Sequence, residues 1–213
     1  MQIYTITYKS EQPSEYFNYF NQINSIEQKS YLFEYNPIID IIDNFHKSKD
    51  YLGIFSWKFP YKTGIFKKKL EYILKYNPNY DIYNFCTLRF NEKYLQFSES
   101  SHPGFLELFK QLCNKLNLPV YEPKNIIYSN FFMCKKEIYK EFVTTIIKPA
   151  IHILEIDLKE KAWKSANYVS GLTSEQLKEF TGLDYYTFHT FLLERLFGQW
   201  LETKRYKIYN YKN

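Results

Sequence analysis

Residues 185–202, YYTFHTFLLERLFGQWLE, set one acid–base pair, Glu194 and Arg195, among bulky apolar residues, and the rest of the chain is organised around the helix they form. At about 100° per residue, Leu192, Leu193, Leu196, Phe197 and Trp200 gather on a broad apolar face. Glu194, Arg195, Gln199 and Glu202 fall on the opposite side. Gly198 lies one turn beyond Glu194 and costs roughly 1 kcal/mol of helix propensity relative to alanine, which points to close approach of a second backbone or of a ligand. By spacing alone the Glu194–Arg195 pair reads as a solvated or salt-bridged pair on a surface helix. His189 falls on the apolar side, where a core histidine satisfied by a hydrogen bond is expected.

The 213 residues suit a single domain spanning 1–213, with enough length to bury a full core. Apolar residues are 45% and charged residues 24%, which excludes a disordered or fibrous chain. Aromatic content of 21% travels with abundant Lys, Asn and Ile, the residues of AT-rich codons, and carries little functional weight. The formal charge of +5 favours an anionic partner: a nucleotide diphosphate, a nucleic acid or an acidic membrane surface. Cys86, Cys113 and Cys134 are odd in number and widely spaced, against a disulfide framework or a zinc site, so a reducing compartment is expected. The first residues lack the apolar core of a signal peptide, and no run approaches the roughly 18 apolar residues of a membrane span. A soluble, cytoplasmic protein is expected.

Strands and helices alternate along the chain. Strands are predicted at 3–8, 31–35, 51–59, 80–86 and 125–134, with a further edge strand in the terminal KRYKIYNY. Helices are predicted at 14–26, from Pro37 through IIDIIDNF, at 66–76, at 105–116, and at 135–157 with a kink or break at Pro149. The polar stretch 159–184 reads as a lid with short helical turns around 174–180. This alternation implies an α/β three-layer sandwich with a mostly parallel central sheet. Gly53 inside the third strand permits close backbone approach. The loop after that strand carries Lys58, Lys62 and Thr63, at the strand end where open α/β sheets bind ligands; it reads either as a diphosphate grip or as a charged surface loop. Ser129 and Asn130 interrupt an apolar run, as residues that line a site or satisfy a bend. The run Lys67–Lys68–Lys69 reads as a solvated helix face. Neither a dinucleotide fingerprint nor a phosphate-binding P-loop occurs.

Three segments in order, YLGIFSWKFPYKTG (51–64), YSNFFMCKKEIYKEFVTTIIKPA (128–150) and FHTFLLERLFGQWL (188–201), resemble the small GT-A type glycosyltransferases of bacterial polysaccharide loci and large viruses. The shared pattern is a strand with an Asn, a K-E-x-[FY]-x-x-[FY] helix, and later an E-R-L helix. The resemblance implies a nucleotide-diphospho-sugar transferase fold and hexosyl transfer from a nucleotide-diphosphate sugar, UDP-linked by preference, to a glycan or lipid-linked acceptor. It also implies a divalent metal, Mn²⁺ or Mg²⁺. Yet the D-x-D that holds such an ion in the wider class is missing: in YDIYNFC the later strand positions are Asn84 and Cys86. Either scattered carboxylates bind the ion, or Lys58, Lys62 and Arg89 neutralise the diphosphate without it.

By resemblance Glu194 is the general base that deprotonates the acceptor, and Arg195 orients it or contacts phosphate. Tyr8 would meet the nucleotide base, with Lys58, Lys62 and Thr63 at the diphosphate. Asn84, Ser129, Asn130 and His189 would contact sugar or acceptor. Two other readings stay open: a single-stranded nucleic-acid-binding module, which most aromatics disfavour by falling in core patterns, and a transferase-like interaction domain without catalysis.

Overall fold

In the computed structural model the described residues are 1–7, 21–24, 30–44, 50–86, 93–168 and 172–211. Among the described residues six strands form one open sheet: β1 (Gln2–Thr7), β2 (Asn21–Asn24), β3 (Tyr51–Ser56), β4 (Ile82–Asn84), β5 (Phe132–Lys135) and β6 (Ile208–Asn210), in the order β2-β1-β3-β5-β4-β6. The helices are α1 (Tyr35–Asp43), α2 (Phe59–Thr63), α3 (Lys67–Tyr76), α4 (Tyr94–Ser101), α5 (Phe105–Lys115), α6 (Lys136–Phe142), α7 (Lys148–Ile156), α8 (Lys159–Ala162), α9 (Ser174–Thr181) and α10 (Phe188–Leu201).

The α/β class is as expected, but the sheet is mixed rather than mostly parallel. β1 pairs in parallel with β2 and β3, and β4 with β6, whereas β5 lies antiparallel between β3 and β4. The reversal has a consequence for function. β3 and β4 end at one edge of the sheet, and β5 begins there, so residues just ahead of β5 arrive at the edge where open sheets present ligands.

Alternating side chains feed two cores. Ile82, Phe132 and Cys134 face one side, with Leu52, Ile54 and most helices. Tyr83, Phe85, Phe131 and Met133 face the other, with Phe59 of α2 and Leu70 and Ile73 of α3. Gly53 explains one packing choice on this second side: a Cβ there would lie 2.9 Å from the Phe55 ring, which is stacked on Phe59 at 3.9 Å.

Several sequence expectations change. Residues 31–34 form a turn, not a strand: Phe33 N–H donates to Ser30 O, Leu32 N–H to Ser30 Oγ, and Phe33 takes φ 49°. Within the expected helix 14–26, Asn21–Asn24 is instead strand β2; residues 8–20 lie outside the described residues. The strand expected at 125–134 shrinks to β5, preceded by irregular chain. Helix α4 was not foreseen. The long helix after β5 is continuous, but Val143–Ile147 widens into a π-turn just before Pro149. Proline has no N–H to give the preceding turn and its ring crowds that turn's carbonyl, so a looser turn accommodates it. Among the described residues no helix is long and apolar enough to cross a membrane.

Gly53→Ala forces the buried Phe55 ring off its stack and should lower stability by about 1–3 kcal/mol, read as a lower urea midpoint at unchanged slope.

Candidate active site

Helix α10 is buried on nearly every side, which corrects the surface-helix reading of its polar face. Arg195 is 3% exposed and Gln199 0%. The cause is an irregular strap, residues 121–128, laid across that face. Gln199 Nε2 donates to Tyr121 O at 3.0 Å, Glu202 Oε1 accepts from Lys124 N–H at 2.8 Å, and a Cβ on Gly198 would stand 3.2 Å from Asn125 O. The polar residues of the helix thus satisfy backbone groups of a segment that has no sheet partner there. Gly198 answers to a second backbone.

Arg195 anchors the centre. Its Nε donates to Ser98 Oγ at 3.2 Å, and Nη1 donates to Phe191 O at 3.0 Å and to Glu194 Oε2 at 2.8 Å. The guanidinium lies 5.5 Å from the rings of Phe105 and Tyr128 and 5.9 Å from that of Tyr94. Glu194 keeps 16% of its side chain exposed. Burial pushes its carboxyl up to about 7; Glu34 adds to the rise, while Arg195 and Lys62 oppose it.

Glu34, in the turn before α1, is the second carboxylate of the site. It accepts from Asn130 Nδ2 at 2.9 Å, and Asn130 Oδ1 accepts from Tyr35 Oη at 3.4 Å. Burial first, then the charges of Glu194 and Glu34, raises the Tyr35 phenol far above its ordinary range, so it remains a donor. Asn130 reaches Glu34 from a tight turn. Ser129 and Asn130 have φ 54° and 55°, and Phe131 N–H closes the turn on Tyr128 O at 3.2 Å. Left-handed backbone at two consecutive non-glycine residues is costly, and it persists here beside a buried carboxylate.

Lys62 stands exposed on α2, its Nζ 5.7 Å from the rings of Tyr128 and Phe131, and near enough to Glu194 to hold its carboxyl down. Glu34, Lys62, Tyr94, Tyr128, Asn130, Glu194 and Arg195 therefore converge from five separate segments. Of these, Glu34, Tyr94 and Tyr128 were not singled out from sequence. Glu34 left a signal: a lone acid inside the aromatic run YLFEY, the same kind of interruption that marks Ser129 and Asn130.

Other predicted residues serve elsewhere. Thr63 Oγ1 donates to Phe59 O at 2.7 Å and accepts from Ile65 N–H, closing its own helix. Asn84 is consumed at the sheet edge: Nδ2 donates to Ile126 O and Asn210 Oδ1, and Oδ1 accepts from Cys86 N–H. His189 belongs to a separate buried group, with Nδ1 3.0 Å from Thr187 Oγ1 and Nε2 2.9 Å from Glu155 Oε1. Tyr31 Oη and Trp163 Nε1 also donate to Glu155. Burial pushes the His189 imidazole below its ordinary value against the pull of Glu155, and the residue sits in the core as its place on the apolar side predicts. Lys58 is exposed, 5.4 Å from the Trp57 ring. Tyr8 and Arg89 lie outside the described residues.

Among the described residues no group of three or more His, Cys, Asp or Glu side chains is placed to hold a metal ion. The site itself brings two carboxylates, Glu194 beside Arg195 and Glu34 beside the Asn130 amide.

A carboxyl raised in the folded state gives up stability as pH rises from its unfolded value, near 4.3, to its folded value. The Glu194→Gln variant lacks this loss. Between pH 5 and 8 the wild type should therefore fall relative to Glu194→Gln by on the order of 3 kcal/mol, seen in paired thermal melts. A difference independent of pH would remove the raised carboxyl.

Compared with known proteins, the chain matches no family model, no curated protein and no solved structure.

Proposed function

We propose that the chain is a glycosyltransferase that moves a sugar from a nucleotide-diphosphate donor, UDP-linked by preference, to a hydroxyl of a glycan or lipid-linked acceptor. The observation that carries this reading is Glu194: a carboxylate fixed by Arg195, raised to about 7, and open to solvent on one side at the ligand edge of an α/β sheet. A base poised near neutral pH takes a proton most effectively in the transition state.

In an inverting displacement the acceptor oxygen bonds to the anomeric carbon as the bond to the donor phosphate oxygen breaks. The hydroxyl proton passes to Glu194, and the nucleoside diphosphate leaves with the electron pair. The resulting charge falls to cations of the α2 region, Lys62 and Lys58. Arg195 is a positioning residue: its bonds to Ser98 and Phe191 fix which oxygen of Glu194 remains free. Glu34 and Asn130 supply a polar wall suited to sugar hydroxyls.

At this site the nucleic-acid reading has less to draw on, because Tyr35 and Tyr94 are buried and not presented for base stacking.

Melting the protein with UDP, GDP, CMP and their sugars, with and without Mn²⁺, is the first test. A nucleotide at roughly 100 times its Kd should raise Tm by about 5–10 °C. Glu194→Gln should keep that shift while transfer falls roughly 10²–10⁴-fold. No shift with any nucleotide, or unchanged transfer in Glu194→Gln, defeats the proposal; a shift without any transfer supports the inactive-domain reading instead.

A further inference from the structure

Helix α3 buries Leu70 and Ile73 against the sheet and turns a different face outward. At helical spacing Lys68, Tyr72, Lys75 and Tyr76 form one stripe, flanked by Lys67 and Lys69. Tyr72 and Tyr76 are 60% and 59% exposed, with ring centroids 4.3 Å apart, and Lys75 Nζ lies 5.4 Å from the Tyr76 ring. No described carboxylate lies within ion-pair distance of these four lysines. Elsewhere Lys115, Lys135, Lys148 and Lys204 each have an acidic partner.

Glu71, exposed on the same helix, offsets one of the four lysines, and the excess positive charge around an exposed tyrosine pair is a combination with a defined complement. Lysine stems lie along apolar surface while their ammonium groups reach outward, and tyrosine rings, apolar in body and polar at the tip, settle at the depth of lipid headgroups. We propose that the outer face of α3 is a docking surface for an anionic lipid bilayer, with the helix lying in the plane of the headgroups. α3 follows α2, which carries Lys62, after only residues 64–66, so docking holds the ligand edge of the sheet near the bilayer. The inference does not rest on the transferase reading, and Glu194→Gln should bind vesicles as the wild type does.

The test is co-sedimentation of the whole chain with phosphatidylcholine vesicles, with and without phosphatidylglycerol, at several salt concentrations. The wild type should pellet only with the anionic vesicles, less so as salt rises. Replacing Lys67, Lys68 and Lys69 together by Gln should weaken binding about 100-fold. Tyr72→Ser with Tyr76→Ser should weaken it further at high salt. All these side chains sit on the outer face or its flanks, and unchanged melting of the variants checks folding. Equal binding to neutral vesicles, no loss in the lysine variant, or lysine-dependent binding of a single-stranded oligonucleotide without vesicle binding each overturns the proposal.

Discussion

The constraint on which the rest of the molecule depends is the charge of Arg195 inside the protein. A guanidinium is always protonated and carries five N–H donors, so burying it obliges the chain to bring acceptors from several directions. Ser98 on α4, the Phe191 carbonyl and Glu194 on α10 meet that need, and three aromatic rings line the remaining sides. Losing one partner of a buried pair costs about 3–5 kcal/mol, because the other charge stays behind unpaired. The position of α4, the strap 121–128 and the turn at Ser129–Asn130 are therefore one arrangement. The same burial raises Glu194, so the feature that fixes the fold also sets the proton affinity of its carboxyl.

The reversed strand is the second element of that arrangement. Were β5 parallel to its neighbours, the chain before it would arrive at the far edge of the sheet, away from α2 and α10. Running antiparallel, it delivers Tyr128 and Asn130 to the edge where β3 ends. Asn130 then meets Glu34, and its amide orientation follows from chemistry: the Tyr35 phenol donates, so Oδ1 faces Tyr35 and Nδ2 faces Glu34.

Periodicity made the elements with one-sided burial legible. The strand in 3–8, the helices at 66–76 and 105–116, and the terminal edge strand appear within a residue or two of expectation at their described ends, apart from the shorter β6. Segments decided by partners distant in sequence were not legible. Residues 31–34 have strand composition, yet Tyr31 is drawn to Glu155 and Phe33 stacks on Phe180 and Tyr186, contacts that no local pattern encodes. Thr63 was a candidate for its place after a strand, and Asn84 and His189 through the resemblance, although periodicity already put His189 in the core, where it lies. Their partners proved to be internal, as they are for most buried polar groups. Glu194, Arg195 and Asn130 answer to charged neighbours instead.

Two helices with polar faces therefore end in opposite situations, and residue type separates them. In α10 the polar side offers one Glu–Arg pair, a Gln and a Gly, groups that a backbone strap can satisfy and cover. In α3 three consecutive lysines spread over about 200° of the helix. Ammonium groups are strongly hydrated and their stems lose about 2 kcal/mol of rotamer freedom when fixed, so a strap across them would be unfavourable without matching acids. α3 stays open for that reason. The sheet thus separates its charges, with the charge of α10 enclosed on one face and the charge of α3 left open to solvent on the other.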